Sequence, residues 1–118
     1  MVQLTPHMKI MVAIAHCDFR MGLDSLTGLC KREFAQDPYC GALFVFRNRS
    51  GTAIKILTFD GSGVWLLHKR FSEGKLLWWP KHPSEKLTSI AAKELYILIN
   101  KGNPSTTQFS EDWRKLSI

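Results

Sequence analysis

The chain has 118 residues, of which 45% are apolar and 22% charged. That is enough for one hydrophobic core but not two, and it excludes a disordered or low-complexity polymer. Its 16 Lys+Arg against 10 Asp+Glu give a net charge of +6, which favours a polyanionic partner and says nothing about fold. Three cysteines, Cys17, Cys30 and Cys40, are odd in number and widely spaced and offer no zinc-type spacing, so buried thiols in a reduced setting are expected.

Taken in order, residues 1–9 read as a loose start. Ile10 to Ala15 form a continuous apolar run, too short to cross a bilayer and suited to a buried strand. The expected location is cytoplasmic, with no membrane partner. Leu23, Leu26, Cys30 and Phe34 follow at spacings of three and four, which predicts a helix over about 22–35 with one apolar face. Asp37-Pro38 ends it, because the residue before proline avoids the helical region. Asp18 and Asp24 near its start suit the positive end of the helix dipole.

Residues 42–80 predict an antiparallel meander of four strands. Ser50-Gly51, Asp60-Gly61-Ser62-Gly63 and Ser72-Glu73-Gly74 supply its turns, and Pro80 stops it. Strands joined by short loops alternate direction, so the first and third turns share one end of the sheet. Arg47, Arg49 and Lys55 flank the first turn; Lys69, Arg70 and Lys75 flank the third. Residues 47–81 hold seven basic side chains against Asp60 and Glu73, five of the chain's six net positive charges. Leu43 and Val45 alternate with Phe44 and Phe46, so both faces of the sheet need cover from helices or a second subunit. Trp65, Trp78 and Trp79 suit a core or a partner interface, and beside cations they would also suit stacking on unpaired bases.

A second helix is expected over about 89–101, capped by Thr88 or Ser89, with Ala91, Ala92, Leu95, Leu98 and Ile99 on its apolar face. Gly102 and Pro104 are placed to end it. Residues 103–118 read as a mobile polar tail of a single domain spanning 1–118. The expected class is therefore α+β.

These segments resemble the TnpB accessory proteins of IS-sixty-six-type bacterial insertion sequences. The likeness lies in Asp18-Phe-Arg20-Met-Gly22-Leu-Asp24-Ser-Leu26 and in Asp37-Pro38-Tyr-Cys-Gly41-Ala-Leu43-Phe44-Val45-Phe46-Arg47-Asn-Arg49. It continues through Ile54-Lys55-Ile56-Leu57, Asp60-Gly-Ser-Gly63, Lys69-Arg70-Phe71, Gly74, Trp78 and Pro80. Phe19 stands where that family usually has Met, Ser50 where it often has a further basic residue, and Trp79 adds one residue before the proline. The resemblance implies a cytoplasmic protein of a mobile element, encoded beside its transposase and needed for efficient transposition.

Three function classes follow. The first is a non-catalytic DNA-binding accessory factor in which Arg47, Arg49, Lys55, Lys69, Arg70 and Lys75 contact phosphates of the element ends, with Arg20 in addition. Four to six such contacts give a salt slope of roughly −4 to −5. The second is an adaptor docked on the transposase through the apolar sheet faces, Trp78 and Trp79, with homo-oligomerisation also open. The third is a small ribonuclease using His68 beside Lys69 and Arg70. A lone strand histidine is more often structural, and adjacent strand residues point to opposite faces. The chain has no phosphate loop and no HExxH motif, and clustered carboxylates for two-metal strand transfer are not evident. No catalytic residue, metal or cofactor is expected.

Overall fold

A computed structural model describes residues 8–100. The order is β1 (Ile10–Ala13), α1 (Leu23–Phe34), β2 (Leu43–Arg47), β3 (Ala53–Phe59), β4 (Val64–Arg70), β5 (Leu87–Ile90) and α2 (Ala92–Ile99). The strands form one mixed sheet in the order β4-β3-β2-β1-β5. β1 runs parallel to β2, with α1 as the crossover, and every other pairing is antiparallel. The class is α+β.

The side chains of β2 sort as their alternation requires. Phe44 and Phe46 pack with Leu57 against Leu26 and Cys30 of α1. Leu43 and Val45 face the other way, with Ile10, Val12 and Ile56 against Leu95 of α2. Both faces of the sheet are thus covered from within the chain, one helix to each.

The turns hold through side chains. Asn48 Oδ1 accepts the Thr52 and Ala53 N–H groups at 2.9 and 3.2 Å, while Gly51 supplies φ 70° without a Cβ penalty. At the opposite end Asp60 Oδ1 accepts the Ser62 and Gly63 N–H groups, both at 2.9 Å, and Oδ2 accepts Trp65 Nε1 at 2.7 Å. The Ser62 N–H, then the Trp65 indole and the Gly63 N–H, hold the Asp60 carboxyl well below the usual carboxylate range. A folded value below the unfolded one contributes stability that is full above pH ~4 and lost as pH falls through the folded value. The Trp65 indole N–H resonance should therefore keep its native shift at pH 4 and move only well below it. A midpoint near pH 4 would contradict the closed turn.

Two parts of the sequence-based expectation need correction. The expected fourth meander strand, about 75–79, is not a strand. After β4 the chain does not turn back alongside it. Phe71 N–H reaches Thr52 O at 2.9 Å, Leu76 N–H reaches Gly51 O at 2.8 Å, and the chain crosses the end of the sheet to enter β5 beside β1. Leu76 gives its backbone donor to Gly51 at the sheet end, and Trp79 meets β1 through its indole rather than its backbone, so no ladder forms alongside β4. The second correction concerns the second helix, which starts later than expected. Thr88 and Ser89, the expected caps, pair with Val12 and Met11 in β5. Glu94 instead closes the start of α2, accepting the Ala91 N–H at 2.9 Å. The expected tail at 103–118, and the end of the helix at Gly102 and Pro104, lie outside the described residues.

Candidate nucleic-acid interface

Antiparallel pairing of Arg47 with Ile54, and of Ala53 with Arg70, puts the end of β2, the start of β3 and the end of β4 together. The end of β1 and the start of β5 join them, because Ala13 pairs with Leu87. The 71–86 crossover lies over this end. Between it and the β2–β3 turn runs an open groove of about 450 Å³, lined by Arg47, Arg49, Lys75 and Lys81 together with Leu76, Leu77, Trp78 and Trp79. Among the described residues no carboxylate lines it.

Trp79 forms the floor. Its indole donates to Ala13 O at 2.9 Å, its ring packs on the apolar cluster under α2, and the Arg47 guanidinium lies 5.7 Å from the ring centroid. Arg47 Nη2 also donates to Ile14 O at 3.3 Å, and its buried Nε has no partner among the described residues. Arg47 thus positions Trp79 and adds fixed charge at depth. Arg49, Lys75 and Lys81 are exposed at the rim. Trp78 is half-buried, and its indole has no hydrogen-bond partner among the described residues. Leu77 is 72% exposed.

The seven expected phosphate contacts separate. Arg47, Arg49 and Lys75 line the groove. Lys55 does not: it is 6% exposed, and its ammonium donates to Phe19 O at 2.9 Å and Met21 O at 2.8 Å, with the Phe19 ring 5.0 Å away. Lysine at this β3 position faces the core beneath the β1–α1 link, so its charge is spent on two carbonyls. Lys69 and Arg70 are exposed on β4, outside the groove lining, and Lys69 donates to Ile99 O at 2.9 Å. Arg20 is exposed and tied to Asp18, Nη2 to Oδ2 at 2.7 Å. The Arg20 hydrogen bonds hold the Asp18 carboxyl down at about 2.

Of the expected interface tryptophans, Trp78 and Trp79 share the groove with the cations, whereas Trp65 lies at the Asp60 end. Reasoning from sequence missed that Trp78, Trp79 and Lys81 form one site with Arg47 and Arg49. The available signal was the run from Lys75 to Lys81, in which two adjacent tryptophans and a proline sit between cations.

Among the described residues the expected triplet of His68, Lys69 and Arg70 does not share one face of the sheet. His68 meets the edge of the Phe19 ring at 5.6 Å on the α1 side, while Lys69 reaches α2 on the other. Burial raises the Cys17 thiol and pushes Cys30 up to about 11, which disfavours thiolate chemistry at either. Cys40 is exposed, against the expectation of buried thiols. Among the described residues no helix is long and apolar enough to cross a membrane.

Residues 8–108 match the family described as "IS66 Orf2 like protein". The chain is 36% identical over 112 residues to the uncharacterized protein y4hO of Sinorhizobium fredii, covering 95% of this chain and 94% of that one. It is 38% identical over 73 residues to the uncharacterized protein y4jC of the same organism, covering 62% of each. No solved structure matches significantly. The chain belongs to the IS66 Orf2-like family, whose members are accessory proteins of insertion sequences.

Proposed function

We propose that this member of the IS66 Orf2-like family is a non-catalytic accessory factor of transposition that binds DNA of its element through the groove beneath the 71–86 crossover. One observation carries the reading: four cations and two tryptophans line a single concavity to which no carboxylate of the described residues contributes. Lysine and arginine at the rim neutralise phosphates and fix position, and a mobile-element protein has DNA as its nearest polyanion. The reading needs no catalytic residue, metal or cofactor.

The triple variant Arg49→Ala/Lys75→Ala/Lys81→Ala tests it. These side chains are exposed, so the fold should survive. DNA affinity at low salt should fall about 30- to 100-fold through the lost phosphate contacts. Transposition frequency in a cell carrying the whole element should fall with it. Unchanged affinity for element-end DNA would overturn the proposal.

A second reading, an adaptor that meets the transposase, draws on Leu77, an exposed leucine beside Trp78 on the same crossover. Capture of purified transposase without nucleic acid, lost on Leu77→Asp but kept in the triple variant, would support it.

A further inference from the structure

We infer that the groove takes unpaired nucleotides of a single strand, with Trp78 as the stacking surface, rather than the outside of a duplex. This rests on the proposed nucleic-acid role and names the form of strand bound.

Three observations converge on it. First, the space, about 450 Å³, falls within the range of clefts that enclose a small ligand, whereas a surface that tracks duplex phosphates needs no such recess. Second, the two tryptophans are differently committed. Trp79 is fixed by Ala13 O and overlaid by Arg47. Trp78 is half-buried in the lining, with no indole partner among the described residues. An aromatic ring held at a groove wall binds a base through its face, and a paired base in a duplex keeps that face inside the stack. Third, Lys75 and Lys81 flank a continuous apolar run, Leu76 to Pro80, on the crossover. That suits a strand whose phosphates and bases point apart. Two other concavities at this end differ, since Asp18 lines both and Glu33 and Glu85 also line the more apolar one. Their carboxylates would repel a phosphodiester.

The test is fluorescence anisotropy with the full chain at low salt, using labelled oligo(dT), oligo(rU) and a DNA duplex of equal length. Oligo(dT) should bind at least about 10-fold tighter than the duplex and quench tryptophan emission. Trp78→Ala should weaken it about 5- to 150-fold, the range for loss of one stacked base, and weaken duplex binding far less. Trp78→Phe should restore most of the loss, with circular dichroism confirming the fold of both variants. Tighter binding of oligo(rU) would also support an unpaired strand and assign it to RNA. Duplex binding equal to or tighter than oligo(dT), with Trp78→Ala neutral, would overturn the inference and leave the phosphate-contact role standing. No binding to any of the three would remove both.

Discussion

Lys55→Ala should lower stability by about 3–4 kcal/mol and shift the urea midpoint down by roughly 2 M, while the remaining folded protein binds nucleic acid as tightly as before. The ammonium is buried and satisfies the carbonyls of Phe19 and Met21. Each carbonyl left without a partner costs about 1–3 kcal/mol. Truncation also removes a buried aliphatic stem. Against these losses stands the relief of no longer desolvating a charge, which offsets part of them. Lys55→Met keeps the stem and should cost less, about 1–2 kcal/mol. Urea unfolding followed by circular dichroism measures both. If Lys55→Met left stability unchanged and removed binding, Lys55 would be a phosphate contact after all.

Trp79→Ala should also be severe, at about 3 kcal/mol, with the melting temperature falling by roughly 10 °C. Its ring is part of the core under α2, and its indole ties the crossover to β1. Removing it detaches one wall of the groove as well as opening a cavity, so binding should weaken even though the rim cations remain. Trp79→Phe separates the two effects. It keeps the ring, loses one hydrogen bond worth about 1 kcal/mol, and should retain most of the affinity. Equal losses of stability and binding from Phe and Ala would mean that the hydrogen bond, not ring packing, holds the crossover. Differential scanning calorimetry with parallel binding titrations reads both quantities.

The parts of the fold legible in the sequence were those set by local pattern. The run from Ile10 became β1, and Leu26 and Cys30 mark the buried side of α1. The Ser50-Gly51 and Asp60–Gly63 turns join β2, β3 and β4 as their residues suggest. Alternation of strand direction also placed Arg47, Arg49 and Arg70 at one end of the sheet. What escaped was set by distant partners. Leu87–Ile90 is four residues long and adjoins a helical periodicity, so it reads as a helix entrance until β1, some 75 residues earlier, offers an edge. The stretch 75–79 has strand-like composition, yet it leaves the outer edge of β4 unpaired and crosses the sheet end, where Leu76 N–H meets Gly51 O.

The candidate site divides in the same way. Strand direction indicates which end a cation occupies, but not whether its side chain is buried. Lys55 alternates onto the α1 face and is enclosed there; Lys69 alternates onto the α2 face and reaches Ile99 O. Neither fate is written in neighbouring residues. The pairing of Arg47 with Trp79 depends on a crossover that passes over the sheet end, a tertiary feature with no local signature. The seven expected phosphate contacts therefore narrow to the three that line the groove, Arg47, Arg49 and Lys75, which Lys81 joins from outside that set.

That narrowing changes the expected salt response, and the response is the most direct test of the groove. Binding of a labelled single strand should be titrated from 50 to 300 mM salt for the wild-type chain and for Arg49→Ala/Lys75→Ala/Lys81→Ala. At about 0.7 ions released per phosphate neutralised on a single strand, three rim contacts contribute a slope of about −2 in log affinity against log salt. The variant's slope should be shallower than the wild type's by that amount, with its melting temperature unchanged. A variant that keeps the wild-type slope and affinity would contradict the account and place nucleic-acid contact elsewhere on the protein.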